Sequence, residues 1–177
     1  MLRLLLWPED AQPERELWLG ALIRPDVEPS VKLTAATELL KIPDLDPSSK
    51  QWFMGAAAYY VAVLGLEDRY AEADRLSAQA VELDPSDANV DTRGCVLAAM
   101  GAGMEAIPML ERGLIGIEAL GLGDEERGWC HSFMAKAYLD AGAEAEARSH
   151  ASTAADYGAS IPALREVQNR LEIPHNG

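Results

Sequence analysis

A stripe of small and apolar side chains recurs three times along this chain. It begins at Ala73, Ala106 and Ala147, so that the repeats are 33 and 41 residues apart. Residues spaced by four and seven positions lie on one face of an α-helix. Repeats of this length are typical of stacked helical units, each of which buries its stripe against its neighbours. The positions four and seven residues after the three alanines hold Ser77 and Ala80, Leu110 and Gly113, and Ala151 and Ala154.

The remainder of the chain also carries helical patterns, and no alternating run of Val, Ile or Thr predicts a β-strand. Prolines, glycines and capping residues, among them a capping box at Ser48 and Gln51, separate nine periodic segments. Because the linkers are short, consecutive helices should pack antiparallel. The sequence therefore predicts an all-α fold of about nine helices, at 10–23, 30–41, 48–66, 69–83, 87–101, 104–120, 124–141, 144–157 and 160–172.

The motif Tyr70-x2-Ala73-x6-Ala80-x4-Pro85 resembles the second helix of the tetratricopeptide repeat (TPR) family. The resemblance implies a right-handed α-solenoid of antiparallel helix pairs, in which small residues let the two helices of a pair cross closely. In the second unit, Gly94 and Leu97 fill the small and large positions of the first helix of the pair. In the third unit, Ala135 and Tyr138 fill them. The turn glycine is Gly101 or Gly142, and the first unit has Asp68 there.

The same resemblance divides the chain into three regions. Residues 51–159 hold three TPR-like repeats, and residues 1–50 form an N-terminal helical region that resembles a degenerate repeat. Residues 160–177 form a C-terminal capping helix and a short tail. Ile161, Leu164, Val167 and Leu171 give that helix a one-sided apolar stripe, which suits a cap on the last repeat.

Charge restricts the class of partner. The chain has a net charge of −14 and a pI near 4.5, which disfavours nucleic acid and anionic membrane surfaces and favours a basic or apolar protein or peptide. Its two cysteines form no C-x-x-C pair, and the apolar run at its start is too short for a signal peptide or a membrane span. We therefore expect a cytoplasmic protein without membrane insertion.

Catalytic and metal-binding motifs are not recognisable. The chain has no G-x-S-x-G motif and no P-loop. Cys130 and His131, with His150, are the one candidate metal cluster, but adjacent helical residues diverge by about 100° and do not converge on one ion. We expect neither an enzyme, nor a cofactor, nor a metal.

In TPR proteins the first helices of the pairs, the A helices, line a concave face that binds partners. The resemblance implies that a helix or an extended peptide docks on a floor of mostly small residues. Two alternatives remain: the N-terminal helices fill the groove, or neighbouring A helices pack closely together. The partner-binding positions implied by the alignment are Ala58, Ala62, Asp91, Cys95, Ala98, Trp129, Ser132 and Lys136.

The positions that hold a carboxylate in TPR co-chaperones carry no positive clamp here, because they are Ala58, Ala62, Thr92, Trp129 and Phe133. We therefore expect an adaptor or scaffold that binds a protein or peptide. One alternative is a self-associating structural module, a homodimer joined through Leu2, Leu4, Leu5, Leu6, Trp7 and Trp18. The other is an acidic chaperone for secreted substrates, since the chain is similar in outline to the translocator chaperones of type III secretion.

Overall fold

The computed structural model of this protein describes residues 12–120 and 123–172. Every regular element in these two ranges is helical, which confirms the all-α prediction. All nine α-helices begin and end within two residues of the predicted bounds. They are α1 Gln12–Ile23, α2 Pro29–Leu40, α3 Pro47–Leu64, α4 Tyr70–Leu83, α5 Asp87–Ala99, α6 Gly103–Leu120, α7 Asp124–Asp140, α8 Glu144–Asp156 and α9 Pro162–Leu171, with a single 3-10 turn at Glu67–Arg69.

Helix α3 is capped differently from the prediction. Its N-cap is Asp46, whose carboxylate accepts hydrogen bonds from the Ser49 amide at 3.0 Å and the Ser49 hydroxyl at 2.7 Å. Pro47 occupies the first helical position, where its fixed φ is favourable and its missing N–H costs nothing. The helix therefore starts before Ser48, and Gln51 does not complete a capping box. Its side chain instead accepts a hydrogen bond from Asn89.

Glycines occupy the turns that follow α3, α5 and α7. Gly101 and Gly142 follow α5 and α7 with φ of +84° and +81°, a region that glycine enters without steric cost. The first unit also has a turn glycine, at Gly65 with φ of +65°, where α3 ends. The assignment of that position to Asp68 was wrong, because the 3-10 turn lengthens the connection to α4.

Each helix packs against the next one along the chain, and α3, α5, α7 and α9 also form a contacting series. The recurring stripes lie between these helices. Ala73, Ala106 and Ala147 have no exposed surface, and the six residues that follow them at four and seven positions are buried as well. A bulky side chain at any of these positions would force two helices apart.

The two ends of the described chain pack onto this core. At the N-terminal end α1 packs on α2 and α2 on α3, with Trp18 partly buried against the core. The apolar stripe of α9 is buried against α7 and α8. The predicted dimer residues between Leu2 and Trp7 lie outside the described residues. None of the helices in the described part of the chain is long and apolar enough to cross a membrane.

Candidate functional site

All eight predicted partner-binding residues lie in the interior. None is more than 9% exposed, because α3, α5, α7 and α9 contact one another in series. In the described part of the chain α3, α5 and α7 pack closely side by side, as in one of the two alternatives to an open groove. Their role in partner binding stays a prediction, and any partner would first meet the more exposed side chains beside them.

Lys136 is held by an ion-pair cluster between α7 and α9. Its Nζ lies 3.1 Å from Asp140 Oδ2 and 2.9 Å from Glu166 Oε1. Arg170 completes the cluster at 2.6 Å from Asp140 and 3.3 Å from Glu166. A buried charge requires such pairing, and the protein's own carboxylates pair with the Lys136 ammonium.

A cavity of about 250 Å³ opens beside another of the eight residues, Asp91. Its walls come from α3, α5 and α6, with single residues of α1 and α7 closing the sides. The lining is predominantly apolar with a few polar groups, the usual composition of a ligand pocket. The lining residues are Leu22, Trp52, Gly55, Ala56, Tyr59, Tyr60, Asp87, Ala88, Asn89, Asp91, Thr92, Gly113, Gly116, Ile117 and Glu126.

The Asp91 carboxyl is buried with weak partners. Among the described residues, the hydrogen bonds that it accepts come from two thiols, Cys95 at 3.9 Å and Cys130 at 3.8 Å. Thiols are weak donors, so they compensate little of the cost of removing a carboxylate from water. Burial accordingly raises the pKa of Asp91 to about 7, even though both thiol hydrogen bonds lower it.

Gly113 explains how α6 passes so close to Asp91. A Cβ at this position would come within 2.1 Å of Asp91 Oδ1 and 2.5 Å of Asp91 Cβ, which is closer than real atoms approach. The small residue of the repeat stripe therefore has a second role in this unit, since it makes room for a carboxyl at the edge of the cavity. A perturbed carboxyl in a cavity is a frequent mark of a functional site.

Aromatic side chains of α3 form another wall of the cavity beside Asp91. The rings of Tyr59 and Tyr60 lie 5.4 Å apart, edge to face, and Tyr59 is 6.0 Å from Trp129. Burial raises the pKa of Tyr59 well above its usual value, with the charges of Cys95 and Asp91 adding to the effect. Burial, and after it Glu126 and Glu125, raises the pKa of Tyr60 to about 12. Both phenols therefore stay neutral in an acidic field.

Asn89 fixes the start of α5 beside the cavity. Its amide nitrogen donates to Gln51 Oε1 at 2.7 Å and to the Asp84 carbonyl at 2.7 Å. These bonds tie α5 to both α3 and the end of α4. Of the lining residues the sequence reasoning named only Asp91 as a site residue. Trp52, Tyr59 and Tyr60 were available as an aromatic stripe, since seven and eight positions separate them on one helix.

A second polar cluster lies between α7 and α8. The Nδ1 atoms of His131 and His150 are 2.9 Å apart and their rings stack, while Tyr138 stacks on His150 and donates to Glu111 at 2.8 Å. Cys130 points instead to Asp91, which confirms that it diverges from His131. Within the described ranges no three His, Cys, Asp or Glu side chains are placed to hold a metal ion; His175 lies outside them.

The arrangement around Asp91 can hold a ligand, because one buried carboxyl and several aromatic side chains line the same cavity. Comparison of the chain with models of known protein families, with curated proteins and with solved structures finds no match.

Proposed function

We propose that this protein is a TPR-like right-handed solenoid of helix pairs that serves as an adaptor for a protein or peptide. The observation that carries the proposal is the burial of all nine stripe residues between helices that follow one another in contact. Such repeats stack into surfaces that characteristically bind partners. We further propose that the cavity beside Asp91 is the point at which the partner is recognised, because a buried carboxyl and several aromatic side chains line it together.

A variant that blocks the mouth of the cavity tests this proposal. Ala88 is exposed and lines the cavity, so Ala88→Trp should fill the entrance without disturbing the core. Ala71 is equally exposed on α4, away from the cavity, and Ala71→Trp is the matched control. Binding to an array of basic and apolar peptides should be seen for the wild type and the control and lost in Ala88→Trp. Identical binding profiles for the two variants would refute the assignment.

Self-association is a second candidate function, and exposed apolar residues of α1 and α2 favour it. Leu17 and Ile23 are 65% and 69% exposed, and Val31 lies nearby in sequence on α2 and is exposed as well. Exposed apolar patches often mark protein interfaces. Light scattering separates the two proposals: a stable dimer that dissociates in Leu17→Lys favours the structural module, and a monomer favours the adaptor.

A further inference from the structure

We propose that the cavity beside Asp91 binds an organic cation, an alkylammonium or guanidinium group with an apolar stem. The inference deepens the proposed function because it names the chemical group that the cavity recognises. Where that group belongs to a peptide or protein, the inference rests on the proposed function. The same group could be supplied by the side chain of a basic protein or by a free amine.

The charges around the cavity select a cation. The described residues that line it include three carboxylates and neither Lys nor Arg. Asp87 is already paired, since Arg112 Nε lies 2.6 Å from its Oδ1. Asp91 is nine-tenths buried, and among the described residues the hydrogen bonds that it accepts come from thiols. An anion would meet uncompensated repulsion here, whereas a cation would complete the Asp91 site.

The aromatic wall suits the same ligand. The faces of Trp and Tyr attract ammonium and guanidinium groups through the ring quadrupole, and Trp52, Tyr59 and Tyr60 all line the cavity. The Tyr60 ring already has one ammonium near it, because Lys32 Nζ lies 5.8 Å from the ring centroid. Lys32 is not one of the residues that line the cavity, so its ammonium does not take the position of a bound cation.

The volume sets the size of the ligand. A space of about 250 Å³ is somewhat below the roughly 300 Å³ at which pockets for drug-sized ligands begin. It accommodates a single long side chain or a small amine and excludes a folded segment. Leu22, Ala56 and Ile117 supply the apolar surface along which a methylene stem would lie.

Side-chain analogues test the inference without a known partner. We expect n-butylammonium, the lysine side chain in isolation, to bind the full chain at pH 8 with a Kd of roughly 1 mM by calorimetry or ligand-observed NMR. Neutral n-butanol and anionic butyrate have similar shapes and should bind at least about tenfold more weakly. If n-butanol binds as tightly as n-butylammonium, or if n-butylammonium does not bind, the cavity is not a cation site.

Two variants locate the binding. Asp91→Asn keeps the shape of the side chain and should weaken n-butylammonium binding about tenfold or more, because the buried charge is lost. Glu105→Gln removes an exposed charge of α6 outside the cavity, and it should bind as the wild type does. Thermal melts confirm that both variants are folded. Equal loss in the two variants would indicate a general effect of net charge and overturn the site.

The pH dependence of n-butylammonium binding to the unmodified protein provides a further test. Binding of n-butylammonium should weaken as the pH falls from 8 to 5, because Asp91 gains a proton in this range while the amine stays protonated. The groups that face Asp91 are Cys95 on its own helix, Tyr59 on α3 and Cys130 on α7, with Asp87 and Glu126 around the cavity. Burial keeps Cys95 and Tyr59 neutral here. Affinity independent of pH would contradict the role of Asp91.

Peptides distinguish the two sources of the cation. A capped Ala-Ala-Lys-Ala-Ala peptide is compared with its norleucine counterpart, which keeps the stem and lacks the charge. Tighter binding of the lysine peptide than of n-butylammonium assigns the cavity to a protein side chain; the reverse order assigns it to a free amine. Peptides that bind while n-butylammonium does not would overturn the cation site and leave the adaptor role intact.

Discussion

The charged form of Asp91 lowers the stability of the fold, whereas the proposed binding of a cation requires that charged form. Its pKa of about 7 lies above the ordinary 3.8, since burial disfavours the charged form. The folded state therefore holds a proton that the unfolded state has released between about pH 4 and pH 7, and stability falls as the pH rises through this window. Above pH 7 the cost is on the order of 4 kcal/mol, at 1.36 kcal/mol per pKa unit.

Asp91→Asn should remove this cost and stabilise the protein at pH 8, because an amide of the same shape carries no charge to bury. The measurement is urea unfolding of wild type and variant from pH 4 to pH 8. We expect the difference in free energy of unfolding to be small at pH 4 and to grow in favour of the variant up to pH 8. A difference that is flat across this range would show that Asp91 does not titrate there.

At the scale of the element, helix bounds were predictable because their signals are local. Prolines at first helical positions and glycines at left-handed caps act within a few residues. The Asp46 cap of α3 was missed because Asp46 and Ser48 both offer capping oxygens, and the position of Pro47 decides between them. The cavity was not predictable, since it depends on how closely α3, α5 and α6 cross.

The repeat register is testable on α8. Ala147 is fully buried and Ala145, two residues earlier, is exposed. Ala147→Leu should destabilise the fold by about 1–3 kcal/mol, the usual cost of overpacking a close helix contact, whereas Ala145→Leu should change the free energy of unfolding little. Chemical denaturation of both variants provides the comparison, and similar losses in the two would mean that the stripe does not face its neighbour.

The histidine pair makes the α7–α8 contact sensitive to acid. Burial lowers the pKa of His150, against an opposing effect of Glu111, and the 2.9 Å contact between the two Nδ1 atoms has room for one proton. The unfolded state thus binds more protons as the pH falls through about 6.5, and folding stability is lost in that direction.

The test compares wild type with His150→Phe, which keeps an aromatic ring against Tyr138. Because Asp91 changes stability with the opposite sign in the same range, the informative quantity is the difference between the two proteins. We expect the wild type to lose stability relative to the variant between pH 7.5 and pH 5.5. Parallel curves would exclude the histidine pair as the source of acid sensitivity.

At the scale of the whole molecule, we propose that consecutive packed helices present one recognition point, the cavity beside Asp91. The acidity of the chain disfavours nucleic acid as a partner, and Asp91 of α5 places a carboxyl beside aromatic side chains of α3 at one cavity. Net charge would also steer a basic partner towards the protein, so that its association rate should fall as salt rises.

Mapping the contact of a basic partner tests the central claim most directly. Backbone amide shifts of the labelled protein are followed by NMR during titration with a lysine-containing peptide. The account predicts that the largest changes cluster around the cavity, at 52–60, 87–92 and 113–117. Changes concentrated on the exposed apolar residues of α1 and α2, with the cavity unaffected, would contradict it.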